Sequence, residues 1–356
     1  MTRIVAVHGV LPPHRYEQSE ITDAFAEMCS LPPGKDRNVL ERLHRNSTVR
    51  SRHIALPLER FAALNGFGES NDAFIEAALP LGQRAVVGAL DRSGLRPEDI
   101  DLVVSTTVTG IAAPSLEARL AGPLGLRPDV KRVPLFGLGC AAGAAGLARL
   151  HDYLEGHPGQ VALLLSVDLC SLTLQRTDSS MTNLVAGALF GDGAAAIIAV
   201  GREHPLARQP RQPTVVASRS RLFPGTESML GWDIVDSGFR IVLGADLPDL
   251  VRRCLGDEVR GFLADHGLTP ADITGWICHA GGPLVLDAVR ETLELPAEAL
   301  ELTRHSLAEV GNLSSASVLH MLRDTLDRPV PPPPGTPGLM LAMGPGFSTE
   351  LVLLRW

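Results

Sequence analysis

The sequence predicts an α/β protein built as two similar halves, each a layer of mostly parallel strands covered by helices. Three observations lead there. The segment Gly94 to Val104 returns as Gly267 to Ile277, an offset of 173 residues in a chain of 356, close to half its length. Each copy follows a helix-like stretch and enters a strand-like one. Gly139-Cys140, opening an Ala/Gly-rich helix that runs through Leu154, resembles Asn312-Leu313 opening a helix from Ser314 to Leu326. Phe190-Gly191-Asp192-Gly193, leading into apolar Ala194 to Val200, resembles Met343-Gly344-Pro345-Gly346, leading into Leu351 to Leu354. Helices that alternate with strands in each half call for layered architecture. The halves are expected at residues 1–210 and 211–356 with no independent linker, and the Pro-rich stretch Pro331 to Pro337 reads as a rigid connector into a last hairpin.

The bulk composition fits that body and narrows its partners. Charged residues at 20% and apolar ones at 45% describe an ordinary globular chain with core for about two domains. No apolar run approaches the roughly 20 residues of a membrane span. The N-terminal run Ile4 to Leu11 is short, lacks a cleavage pattern and meets Pro12-Pro13, so export is not expected. Five scattered cysteines (Cys29, Cys140, Cys170, Cys254, Cys278) include no C-x-x-C pair, which fits a reducing cytoplasm and no zinc or redox motif. A net charge of −8 argues against nucleic acid, which needs a broad positive surface. Any anionic ligand must then meet a local patch, and Arg42, Arg45, Arg50 and Arg52, with Lys35 and Arg37 upstream, offer one.

Taken in chain order, the first chemically pointed position is Cys140, where a strand-like run gives way to a helix of very small residues. Unpaired N–H groups and the positive end of the helix dipole favour thiolate there, although a buried cysteine in a close-packed helix is commonly inert. The same run, Gly137-x-Gly139-x-x-Ala142, satisfies a permissive dinucleotide fingerprint, against which Pro134 interrupts the preceding strand. His279 ends the repeated strand and is followed by Gly281-Gly282, which allow close backbone approach. Cys278 and His279 should face opposite ways, so a Cys/His metal pair is disfavoured. Asn312 stands at a helix start, where Asn is a good cap, and occupies in half two the place that the cysteine region occupies in half one.

Gly139-Cys140-Ala141-Ala142-Gly143, Leu189 to Ala195, Trp276 to Pro283, Gly311 to Ala316 and Gly344-Pro345-Gly346-Phe347 follow one another in an order that resembles type III polyketide synthases, the chalcone-synthase-like branch of the thiolase superfamily. The resemblance runs nearly end to end. It implies a thiolase fold, two pseudo-duplicated halves in a five-layered αβαβα body, and a homodimer. It also implies that Cys140 is the nucleophile, that His279 and Asn312 are its partners, and that Phe190 is one of two gatekeepers between a CoA tunnel and a cavity. The second gatekeeper position falls on Ile241, where plant members carry Phe. Cys170, Thr173, Ser314 and Pro345 match cavity positions, and Ala113 matches a Met that in plant relatives reaches the neighbouring subunit's cavity. Ala280 replaces the family's usual Pro. Arg42, best matched, and Arg45 and Arg50 fall in the region where the family contacts CoA phosphates.

The chemistry so implied is decarboxylative condensation. Cys140 thiolate, paired with His279 imidazolium, takes an acyl group from an acyl-CoA starter, and His279 with Asn312 stabilises the enolate left when malonyl-CoA or methylmalonyl-CoA loses CO2. No metal or redox cofactor is needed. The smaller Ile241 and Ala113 point to an extended aliphatic starter and alkylpyrone or alkylresorcinol products. The competing products are tetrahydroxynaphthalene-type aromatics made from malonyl units alone, whose synthases resemble this chain at Cys170. A ketoacyl synthase that takes its extender from acyl carrier protein is the nearest rival enzyme, a cysteine hydrolase the next, and a non-catalytic assembly partner the last.

Overall fold

The computed structural model describes residues 1–31, 34–208 and 212–356. The first half opens with β1 (Thr2–Val10), followed by β2 (His14–Glu17), α1 (Gln18–Met28), α2 (Lys35–Asn46), β3 (Ser51–Ile54), α3 (Leu58–Phe61) and the long α4 (Gly66–Ser93). It continues through β4 (Leu102–Thr106), α5 (Leu116–Leu124), β5 (Lys131–Leu135), α6 (Ala142–Gly156), β6 (Val161–Leu169), α7 (Met181–Leu189) and β7 (Asp192–Val200). The second half runs β8 (Thr214–Leu222), the hairpin β9 (Leu230–Val235) and β10 (Gly238–Leu243), α8 (Leu247–Ala264), β11 (Gly275–Cys278), α9 (Pro283–Thr292) and α10 (Glu301–Val310). It closes with α11 (Ser317–Leu326), β12 (Pro337–Gly344) and β13 (Ser348–Arg355). The boundary expected between residues 210 and 211 lies outside the described residues.

The repeat seen in the sequence has a mechanical basis. α4 stops at Gly94 in the left-handed conformation, and the Asp99 carboxylate accepts the Arg96 N–H at 2.8 Å in the turn that launches β4. α8 is likewise followed by left-handed Gly267, and Asp272 accepts the Thr269 N–H at 2.7 Å before β11. A glycine that ends the helix, followed by a Pro-initiated capped turn, sets the entry angle of the strand in both halves.

The strands form one nine-stranded sheet in the order β11-β12-β13-β8-β1-β7-β6-β4-β5. Parallel pairing is confined to β4 with β5, β4 with β6, and β11 with β12; the other five ladders are antiparallel. The expectation of mostly parallel sheets is therefore corrected. β12 and β13 are joined across Gly344 and Ser348 by a turn too short for a crossover, so they must run antiparallel. The half-sheets join where Thr2 and Arg3 of β1 meet Val215 and Thr214 of β8, and the Ile4 N–H donates to Pro213 O beside them at 2.9 Å.

Five layers follow from which faces are buried together. α6 and α11 lie in the middle, packed on Ile4, Leu164 and Ile197 from the first half-sheet and on Ile277, Met340 and Val352 from the second. α4 and α5 cover the outer face of the first half-sheet through Phe74, Leu81 and Leu120, and α8 and α9 cover the second through Phe262 and Leu286. By length and composition α4 could cross a bilayer, a property the sequence reading gave to no segment; its apolar stripe packs instead on the sheet. Pro134 does not interrupt β5 but sits within it opposite Ser105, which an outermost strand tolerates.

Candidate active site

Two short 3-10 turns, Gly139–Ala141 ahead of α6 and Ser314–Ala316 ahead of α11, meet at the centre of the pseudo-symmetric body. Only glycine fits at the crossing. A Cβ on Gly143 would stand 2.2 Å from the Ser315 carbonyl oxygen. This contact brings the Cys140 Sγ to 3.5 Å from the Ser314 Oγ. Ser314, itself left-handed, is held by its N–H donating to Asn312 Oδ1 at 2.8 Å. The Asn312 Nδ2 is thereby left facing elsewhere with both its protons. Asn312 so realises the cap-like role its residue type allows without spending its amide donor.

Main-chain bonds fasten Asn312 to the turn that carries Phe190: Asn312 N–H donates to Leu189 O at 2.8 Å and Gly191 N–H to Asn312 O at 2.9 Å. His279 leaves the end of β11 with its N–H on Leu341 O at 2.9 Å, and its following turn brings Gly282 against the Leu189 side chain. The α7–β7 turn thus touches both partner segments. The His279 ring is buried, and its Nδ1 has no hydrogen-bond partner among the described residues.

Behind the turns lies a buried carboxylate that sequence reasoning missed. Asp168, at the end of β6, accepts Val108 N–H at 2.9 Å, Ser315 N–H at 3.0 Å and the Ser315 hydroxyl, so one side chain ties the first half to the start of α11. In the sequence it is one acid in an apolar strand, and only the third dimension shows what it holds.

Burial sets the charge states. It pushes the Cys140 thiol up to about 12, a rise the Ser314 hydroxyl opposes and the Asp168 charge reinforces. It also lowers His279 to about 4. Neither group ionises on its own at neutral pH, contrary to a thiolate made by the helix end alone. Burial thus favours the neutral thiol and the neutral ring, and a thiolate there needs a neighbouring cation to offset its desolvation.

Cys140 opens on a chamber of about 20 Å³ lined by Cys170, Phe190, Ile241, Ser314 and Pro345, with Val108 and Trp232. Phe190, Ile241, Cys170 and Trp232 also line a second, larger chamber of about 70 Å³, in which Thr173 takes part. These four residues therefore form the partition between the two spaces. Ile241 and Trp232 are cross-strand partners in the β9–β10 hairpin. Trp232 was not anticipated, since that hairpin has no counterpart in the repeat. Ala113 lines neither chamber and lies exposed.

The basic patch divides. Arg42 and Arg45 are exposed and carry no ion pair among the described residues, whereas Arg50 pairs with Glu309 and Arg37 with Asp23 and Glu41. The Lys35 side chain lies outside what is described. Arg52 does not belong to the patch: it is 4% exposed and its Nη1 donates to Phe190 O at 2.8 Å.

Comparison with known proteins gives this geometry a context. Residues 1–203 match the model for the N-terminal domain of chalcone and stilbene synthases, and residues 214–356 match that for their C-terminal domain. A 1,3,6,8-tetrahydroxynaphthalene synthase of Streptomyces peucetius subsp. caesius is 59% identical over 355 residues, covering 100% of this chain and 93% of that protein. A putative chalcone synthase of Bacillus subtilis (strain 168) is 34% identical, covering 100% of this chain and 99% of that protein. The crystal structure of 1,3,6,8-tetrahydroxynaphthalene synthase from Streptomyces coelicolor A3(2), a bacterial type III polyketide synthase, superimposes with a TM-score of 0.92 at 31% identity over 99% of each chain.

Proposed function

Since the chain belongs to the chalcone and stilbene synthase family and is a type III polyketide synthase, we propose that it primes Cys140 with malonyl-CoA and extends it with further malonyl-CoA to a tetrahydroxynaphthalene-type aromatic. The observation that carries this product is the 59% identity to a tetrahydroxynaphthalene synthase across the whole chain. The product favoured from sequence, an alkylpyrone or alkylresorcinol, yields to the one held as its competitor. Methylmalonyl-CoA as extender has no comparable support.

In this reading His279 takes the proton from Cys140 Sγ as sulfur attacks the thioester, and CoA departs. The next malonyl-CoA binds with its thioester oxygen toward His279 Nε2 and Asn312 Nδ2. These donors stabilise the enolate formed as CO2 leaves, each by roughly 3 kcal/mol. The enolate carbon attacks the Cys140 thioester and expels the sulfur. Phe190 and Ile241 gate the passage between the chambers, Cys170, Thr173, Ser314 and Pro345 shape the walls, and Arg42 and Arg45 receive CoA phosphates at the surface, with Arg50 less free to do so. The steps draw on no cofactor.

Exposed Ile111, Val133 and Phe136, beside Ala113 or on and next to the outermost strand β5, support a homodimer through that edge. Five unpaired cysteines fit a reducing cytoplasm. Incubation with malonyl-CoA alone, without a carrier protein, tests the reading. Mass spectrometry is expected to find a naphthalene-type product that Cys140→Ala abolishes; product only on addition of an alkanoyl-CoA would return the alkylpyrone reading.

A further inference from the structure

We propose that Arg52 binds the carboxylate at the leading end of the malonyl-primed chain as that chain grows from Cys140 past Phe190 into the larger chamber. The inference rests on malonyl priming as proposed above and adds the group that recognises it. Among the described residues Arg52, on β3, is the only charged one that lines either chamber. Its Nε donates to Gln18 Oε1 at 3.0 Å and its Nη1 to Phe190 O at 2.8 Å, while Nη2 is buried with no partner among the described residues.

No carboxylate is hydrogen-bonded to this cation among the described residues. Asp192 lies near enough for its charge to favour the charged guanidinium, but it spends its oxygens on Ala55 N–H, Ser171 N–H and the Ser171 hydroxyl. Burial lowers Arg52 to about 10, which leaves it charged at neutral pH. A buried donor left unpaired is costly, the more so when it is charged, and a ligand oxygen removes that cost.

The chemistry of malonyl priming supplies the oxygen. Decarboxylation is what makes an extender nucleophilic, so the starter has no need to lose its carboxylate when it is loaded. Each condensation inserts two carbons at the Cys140 end and drives the starter end away from the sulfur. The partition formed by Phe190 and Ile241 leads into the chamber that Arg52 lines. A carboxylate arriving there comes against the wall that Arg52 forms, and a small shift of the side chain brings its unpartnered Nη2 onto the carboxylate, a pairing suited to both groups. A chain primed by a saturated acyl group brings a methyl to the same place and leaves the donor unsatisfied, which disfavours it.

The test reads a ratio, because Arg52 also anchors Phe190 and its loss has structural effects. Turnover from malonyl-CoA alone and from hexanoyl-CoA with malonyl-CoA is measured for the wild type, Arg52→Lys and Arg52→Gln, with thermal unfolding of each. Arg52→Gln is expected to lower malonyl-primed kcat/KM at least tenfold more than the hexanoyl-primed value, and Arg52→Lys to recover part of the difference. A parallel fall in both, or no change in either, overturns the inference while leaving malonyl priming intact. Should Arg52→Gln fail to fold, the ratio in Arg52→Lys decides: a shift of threefold or more supports the inference and an unshifted ratio sinks it. A wild type that makes nothing from malonyl-CoA alone yet extends hexanoyl-CoA overturns the priming reading, and this inference falls with it.

Discussion

At the scale of single residues, the reactivity of Cys140 depends on what stands against its burial. Desolvation and the Asp168 charge both push the thiol up, and the Ser314 hydroxyl opposes them only in part. An imidazole that accepts the proton is the one strong counterweight in the proposed site. His279→Ala is therefore expected to lower alkylation of Cys140 by iodoacetamide at pH 7 at least tenfold and to move the titration toward alkaline pH. A rate equal to that of the wild type would show that His279 does not hold the proton. Cys140, His279 and Asn312, the proposed catalytic residues, stood out in the sequence because each stands beside glycines that mark a turn at the end of a strand or start of a helix. Asp168, Arg52 and Trp232 could not. Their neighbours in sequence are strand-like, and their partners lie far along the chain, as in the bond from Ser315 N–H to Asp168.

At the scale of elements, the site is made by two helix starts pressed together, and glycine is what permits the approach. Gly143→Ala places a methyl 2.2 Å from the Ser315 carbonyl oxygen and 2.8 Å from Val318 Cγ2, so backbone must give way. Overpacking of this kind costs about 1–3 kcal/mol, and the separation of Cys140 from Ser314 and Asn312 should cost activity as well. Calorimetry should show a lower Tm, and kcat should fall more than tenfold; a variant with wild-type kcat would mean that the crossing does not position the nucleophile. The pairing of helix starts was legible as a repeat, because both halves spell the same sequence of turn, helix, turn and strand. Strand direction was not. Periodicity records which faces are buried but not which way the neighbour runs, so the short Gly344–Ser348 turn, rather than any strand, held the clue to antiparallel pairing. Pro134 misled for a related reason: its missing N–H matters inside a sheet and hardly at all on the outermost strand.

At the scale of the whole molecule, the five layers bury histidines as neutral rings, and this sets how the fold responds to acid. Burial lowers His44 to about 3, His279 to about 4 and His320 to about 3, whereas in the unfolded chain they titrate near 6.5. Between pH 6.5 and about 4 the unfolded chain thus binds three more protons at these sites, and stability drops as pH falls through that window. Asp192 acts in the opposite sense: raised to about 6 from 3.8, it is protonated first in the folded state and adds stability as pH falls. Asp168 and Glu350, raised by the same desolvation, lean the same way and blunt the slope. Three rings against Asp192 leave about two protons in favour of unfolding near pH 5, or roughly 3 kcal/mol per pH unit, a slope that the likewise lowered His8, His151 and His204 steepen. The weak point is central, since His320 sits in α11 with Nε2 bonded to Ala194 O of β7 at 3.0 Å, and charging the ring sets a cation between the half-sheets. Urea midpoints should fall from pH 7 to pH 5, and His320→Gln, which keeps a donor but cannot titrate, should remove about one proton from the slope. A midpoint that stays level over that range would mean that the buried acids match the histidines, and an unchanged slope in the variant would mean that His320 charges without opening the central layer.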